Sequence, residues 1–80
     1  MIKLTRQIES LENMIEKIEN KISDLEDKQM AIEDKATEHD RDMTAKEEER
    51  YDNLQEQIDL LNDEIDDIEN ALDYLRDYEL

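Results

Sequence analysis

Residues 36–51 read ATEHDRDMTAKEEERY. Whether this stretch bends or runs straight decides the fold, because the chain on either side of it carries one clear pattern. Before it, Leu4, Ile8, Leu11, Ile15, Ile18, Ile22, Leu25 and Ile32 follow alternating steps of four and three, interrupted only at Gln29. After it, Tyr51, Leu54, Ile58, Leu61, Ile65, Ile68, Leu72 and Leu75 do the same without a fault. Sustained a/d heptads of this kind specify left-handed coiled coil. With Ile8 placed at a, the first half predicts its next a positions at Met43 and Arg50. The second half starts at Tyr51, one residue late.

A straight reading absorbs the extra residue as a local irregularity and makes a rod of about 120 Å. A bent reading makes an αα-hairpin. Three features of 36–51 favour the bend. Thr44-Ala45-Lys46-Glu47 is a capping-box pattern. Glu47, Glu48 and Glu49 fill the turn that follows it, where the helix dipole favours anions. Lys35, His39 and Arg41 lie where a first helix would end and cations are favoured. Against the bend stands the absence of glycine, the usual residue for such a turn.

Folding the chain so that opposed core positions sum to about 83 adds support. Ile8 then meets Leu75, Ile15 meets Ile68, Ile22 meets Leu61, and Gln29 meets Leu54. On one flank Lys21 approaches Glu64 and Met14 approaches Ala71. On the other, Glu19 faces Asn62, Glu26 faces Gln55, and Glu12 and Glu69 form one like-charge pair.

The expected fold is therefore all-α: an antiparallel two-helix coiled-coil hairpin forming a single domain over residues 1–80. Helix 1 is expected at about 2–37, a turn at about 38–43 and helix 2 at about 44–79. A long continuous coiled-coil dimer is the runner-up. A parallel dimer through helix 1 also suits Lys21 with Glu26 and Lys28 with Glu33 across the partner. Two helices bury little for 80 residues, so self-association is expected, most simply as a homodimeric four-helix bundle. Gln29, polar at an a position, reads either as a specifier of register and oligomer state or as a tolerated defect in the seam. Ala71, Tyr74 and Tyr78 widen the apolar stripe near the C-terminal end and mark a contact patch, either onto bundle neighbours or onto a partner.

Charged residues make up 45% of the chain, and the net charge is −16. That charge excludes direct nucleic-acid binding, which needs basic patches to replace counterions, and it disfavours anionic membranes. It suits a partner protein with a basic surface. There is no cysteine, hence no disulfide or thiol chemistry. The opening residues lack a signal-peptide core and no long apolar run follows, so a cytoplasmic location is expected, the host cytoplasm if the chain is phage-encoded. Two serines and one histidine give no nucleophilic constellation. Exposed acids on a thin coil lack the pocket that general acid catalysis needs, so no enzyme is expected. His39 with Asp40 and Asp42 lacks the partners of a metal centre, and no metal or other cofactor is expected.

The acids themselves are patterned. Asp52, Asp59, Asp66 and Asp73 recur every seven residues at b, and Glu56, Asp63 and Asp77 stand at f. With Asp67 they form a candidate partner-binding strip. From 51 to 80 eleven acids face one base, Arg76. Solubility alone explains charge at b and f. It does not explain the choice of Asp, a poorer helix former than Glu or Lys, nor like charges at i,i+4 such as Asp59 with Asp63. Carboxylates recurring every 5–6 Å or so along a stiff helix approach the spacing of phosphates on a nucleic-acid strand.

In size and charge the whole chain resembles small phage-encoded inhibitors, the anti-restriction and anti-CRISPR DNA mimics. The resemblance is one of composition and carries no motif. It implies a non-catalytic inhibitor that occupies a basic, nucleic-acid-binding surface of a partner protein. The alternative is a structural coiled-coil scaffold or adaptor for oligomerisation.

Overall fold

The computed structural model describes residues 2–79, with side chains described for 5–78. Two helices, α1 (Ile2–Glu38) and α2 (Ala45–Glu79), pack side by side as a hairpin. The long axis is 58 Å and the cross-section only 15 by 14 Å. A helix of this length rises about 1.5 Å per residue, so one helix alone accounts for the long axis. The straight rod is not formed.

The seam follows the heptads. Ile8, Ile18, Ile58, Ile65 and Leu72 are buried, and the remaining described a/d side chains are at least half-covered. The chain reverses because both helices are capped in the few residues between them. Asp40 takes φ 51°, in the left-handed region that ends many helices. Around it Arg41 N–H donates to Ala36 O at 3.1 Å, and Asp40 N–H donates to Thr37 O at 3.0 Å. Those two bonds make a Schellman motif and satisfy carbonyls that the helix end would orphan. An aspartate thus performs what glycine usually does, since a short polar side chain tolerates this conformation better than most. The missing glycine was therefore no obstacle to the turn.

Four residues later the expected capping box forms. Glu47 N–H donates to Thr44 Oγ1 at 3.1 Å, and Thr44 N–H donates back to Glu47 Oε1 at 2.9 Å. Glu47 is only 8% exposed. Counted back from Tyr51 it occupies a d position, and the pairing rule sets it opposite the small, buried Ala36. The last layer of the seam is therefore closed by a carboxylate rather than by a hydrophobe.

Candidate functional site

An antiparallel pair of helices has two open sides, and the heptad letters sort residues onto them. The e and b positions of both helices fall on one side, and the g and c positions on the other. The grooves between α1 and α2 agree with this division. On the first side, one groove is bounded by Glu12, Glu19, Glu69, Asp73 and Arg76. It runs into a second, bounded by Glu19, Glu26, Asn62, Asp66 and Glu69. Carboxylates dominate both.

Among the described residues, six of these acids, Glu12, Glu19, Glu26, Asp66, Glu69 and Asp73, therefore share a single face with one cation. Arg76 lies 3.7 Å from Glu12, and both side chains are about half-exposed. The ion pair relieves the expected Glu12–Glu69 conflict without neutralising the face. The rest of the aspartate row, Asp52 and Asp59, continues towards the turn at the same heptad position and is also exposed.

Asp59 is fixed from within. Gln29, 7% exposed, donates from Nε2 to Gln55 Oε1 at 3.0 Å and to Tyr51 O at 3.4 Å. Gln55 in turn donates to Asp59 Oδ1 at 3.0 Å. The polar residue in the α1 seam is thus tied to the turn of α2 that holds Leu54, and through Gln55 to the acid row. One layer further along, the Tyr51 hydroxyl donates to the Glu33 carboxylate, which holds the phenol above its ordinary range.

Glu56, Asp63 and Asp77 are exposed along the outer edge of α2. Asp67 is exposed too, but it stands at c, in one row with Leu60 and Tyr74, and so turns away from Asp66 and Asp73. The glutamates of α1 extend the expected strip, which holds only acids of α2. They sit at e, on the flank of the pairing. Only the hairpin brings the e edge of α1 beside the b row of α2, and the alternation of Lys at g with Glu at e in α1 is the signal that anticipates it.

The other side has a different chemistry. One groove is bounded by Lys21, Leu25, Leu60, Leu61 and Glu64. The next is bounded by Lys28, Ala31, Ile32, Arg50 and Leu54. Near the open end, Tyr74 and Tyr78 stack edge to face with ring centroids 5.1 Å apart, and their hydroxyls lie 3.1 Å from each other. That contact raises the Tyr74 phenol. Ala71 is exposed beside them.

Among the described residues, no three His or carboxylate groups are gathered so as to hold a metal ion, and no helix is long and apolar enough to cross a membrane. No known protein family, curated protein or solved structure matches this chain.

Proposed function

We propose that the chain is a non-catalytic binding protein whose anionic face occupies a basic, nucleic-acid-handling surface of a partner protein. The observation that carries this reading is the exposed carboxylate face made jointly by α1 and α2, from Glu12, Glu19 and Glu26 to Asp66, Glu69 and Asp73. It is broader than a single row of acids, and among the described residues Arg76 is its one cation. The hairpin is capped on both sides of its turn, so little order has to be gained on binding, which lowers the cost of association. A field of this sign also steers a basic partner at low salt. A phage-type inhibitor of the DNA-mimic kind, acting in the cytoplasm of its host, fits these properties.

A scaffold reading draws on a different observation, the exposed Leu60 and Tyr74 on the opposite side. One comparison separates the two. A variant carrying Asp59→Asn, Asp63→Asn, Asp66→Asn and Asp73→Asn retains the seam and the helices. In pull-downs from lysate, the inhibitor reading expects wild-type chain to retain nucleic-acid-binding proteins at about 50 mM salt, to lose them at several hundred millimolar, and to release them to added duplex DNA. The Asn variant should retain far less. Equal retention by both chains, or indifference to DNA, removes the inhibitor reading. A scaffold ignores the Asn changes and loses its partners when Leu61 or Ile65 becomes Asp.

A further inference from the structure

We propose that the side of the hairpin bearing Met14, Leu60 and Tyr74 is the docking surface for a second copy of the chain, and that the two hairpins lie face to face with their turns at the same end. The inference is independent of the anionic face, which lies on the opposite side.

The first ground is incomplete burial. No large side chain among the described residues is fully buried, and Leu25, Ile32, Leu54 and Leu61 are only partly covered on this side. A two-helix hairpin rarely secures enough apolar burial alone.

The second ground is segregation. Exposed large hydrophobic residues are Met14 (47%), Met30 (55%), Leu60 (60%), Tyr74 (63%) and Tyr78 (67%). All but Met30 stand at g or c, on this side. Random solvent exposure would scatter them. Over the middle of the hairpin Leu60 lines the first groove with Leu25 and Leu61, between Lys21 and Asp24 of α1 and Glu64 of α2. The next groove sets Ala31, Ile32 and Leu54 between Lys28 and Arg50.

Charge then selects the occupant and its direction. The opposite side is carboxylate on carboxylate and would repel a copy of itself. On the docking side, the α1 edge offers Lys21 and Lys28 with one acid, Asp24, whereas the α2 edge offers Glu64 at its middle and Arg50 nearer the turn. Closed two-fold symmetry allows two face-to-face arrangements. An axis across the hairpin lays α1 on α1 of the copy, setting lysines against lysines. An axis along the hairpin lays α1 on α2 of the copy at equal height. Lys21 then approaches Glu64 of the second copy, Met14 approaches its Ala71 and Tyr74, and Leu60 covers the groove beside Leu25. The second arrangement sets Lys21 against Glu64 and apolar side chains against apolar ones, leaving Arg50 near the turn as the one α2 cation bordering the two grooves among the described residues. It makes a four-helix bundle whose two outer faces are both acidic.

The test uses the absence of cysteine. Asp42→Cys puts a single spin label in the exposed turn. Sedimentation at about 100 μM should give a dimer, with a label-to-label distance of about 20–25 Å, two helix diameters. A monomer overturns the proposal. So does a distance of about 50 Å, which the 58 Å long axis requires when the turns lie at opposite ends. A second variant, Leu60→Asp with Tyr74→Asp, alters side chains that lie outside the seam of one hairpin. It should be monomeric at the same concentration, while Asp66→Asn with Asp73→Asn should remain dimeric. Persistence of the dimer in the Leu60→Asp, Tyr74→Asp chain overturns the proposal as well.

Discussion

Arg41 and Glu47 meet across the turn in a forked ion pair. Arg41 Nη1 lies 2.7 Å from Glu47 Oε1 and Nη2 lies 3.4 Å from Oε2, while Nη1 also donates to Asp42 O at 2.9 Å. The same Oε1 accepts the Thr44 N–H. One carboxylate therefore serves the cap of α2 and holds the last residues of the reversal. The guanidinium, with the Thr44 N–H behind it, lowers the Glu47 carboxyl from 4.5 to about 2, and the pairing raises Arg41 in return.

That shift has a definite sign. The folded turn holds a proton on Glu47 less tightly than the unfolded chain does, so the contribution to stability is complete above pH 4.5 and is lost as pH falls towards 2. The rest of the chain titrates as well, so the measurement is a difference. The melting temperature of wild type should exceed that of Glu47→Gln at about pH 6, and the gap should shrink steadily below about pH 4.5 and close only below about pH 2. A gap that is unchanged or wider in acid contradicts the ion pair.

The two caps should respond in opposite directions to substitution. Thr44→Ala removes the hydroxyl that accepts the Glu47 N–H and should cost about 1 kcal/mol. Asp40→Gly relieves a left-handed conformation that aspartate holds at some strain, and should gain about 0.5–1 kcal/mol. For a chain of this size each change moves the melting temperature by about 4–8 °C per kcal/mol. A lower melting temperature for Asp40→Gly would exclude the cost assigned to that backbone.

Gln29 occupies a place where Leu or Ile would bury more apolar surface. Its hydrogen bonds to Tyr51 O and Gln55 offset the desolvation of its amide but replace hydrophobic packing. Gln29→Leu should therefore raise the melting temperature, by an amount equivalent to about 1 kcal/mol. It should also free Gln55 and with it Asp59. Thermal melting read by circular dichroism decides the first point, and a destabilised Gln29→Leu would mean that the polar layer is worth more than the packing it displaces.

With a net charge of −16, the folded hairpin concentrates like charge that the unfolded chain spreads out. The screening length falls from about 30 Å at 0.01 M salt to about 3 Å at 1 M, so the repulsion weakens as salt is added. The melting temperature should climb as sodium chloride is added across that range. A decline would show that attractive pairs such as Arg41–Glu47 outweigh the repulsion.

The seam and the start of α2 are legible in the sequence because their signals are local. Isoleucines and leucines three and four apart fix one face of a helix, and Thr44 with Glu47 caps its own turn. The reversal itself was harder. Its backbone signature rests on Asp40 rather than glycine, and aspartate is also common in exposed helices and loops. The burial of Glu47 was hidden for a related reason: the capping box marks it among three glutamates, but nothing local shows that Arg41 will cover it. The two-faced character of the hairpin lay furthest from view. Glu19 and Asp66 are far apart along the chain, and only the pairing of α1 with α2 sets them on one groove, while Asp67, next in sequence to Asp66, turns to the other side.

The antiparallel pairing places the beginning of α1 beside the end of α2. A pulling force applied to those two ends acts at right angles to the seam and opens it like a zipper, one pair of side chains at a time, instead of sliding one helix along the other. The layer of Ile8 parts early and that of Ala36 and Glu47 late, so the ion-paired turn is the last latch to give way under load.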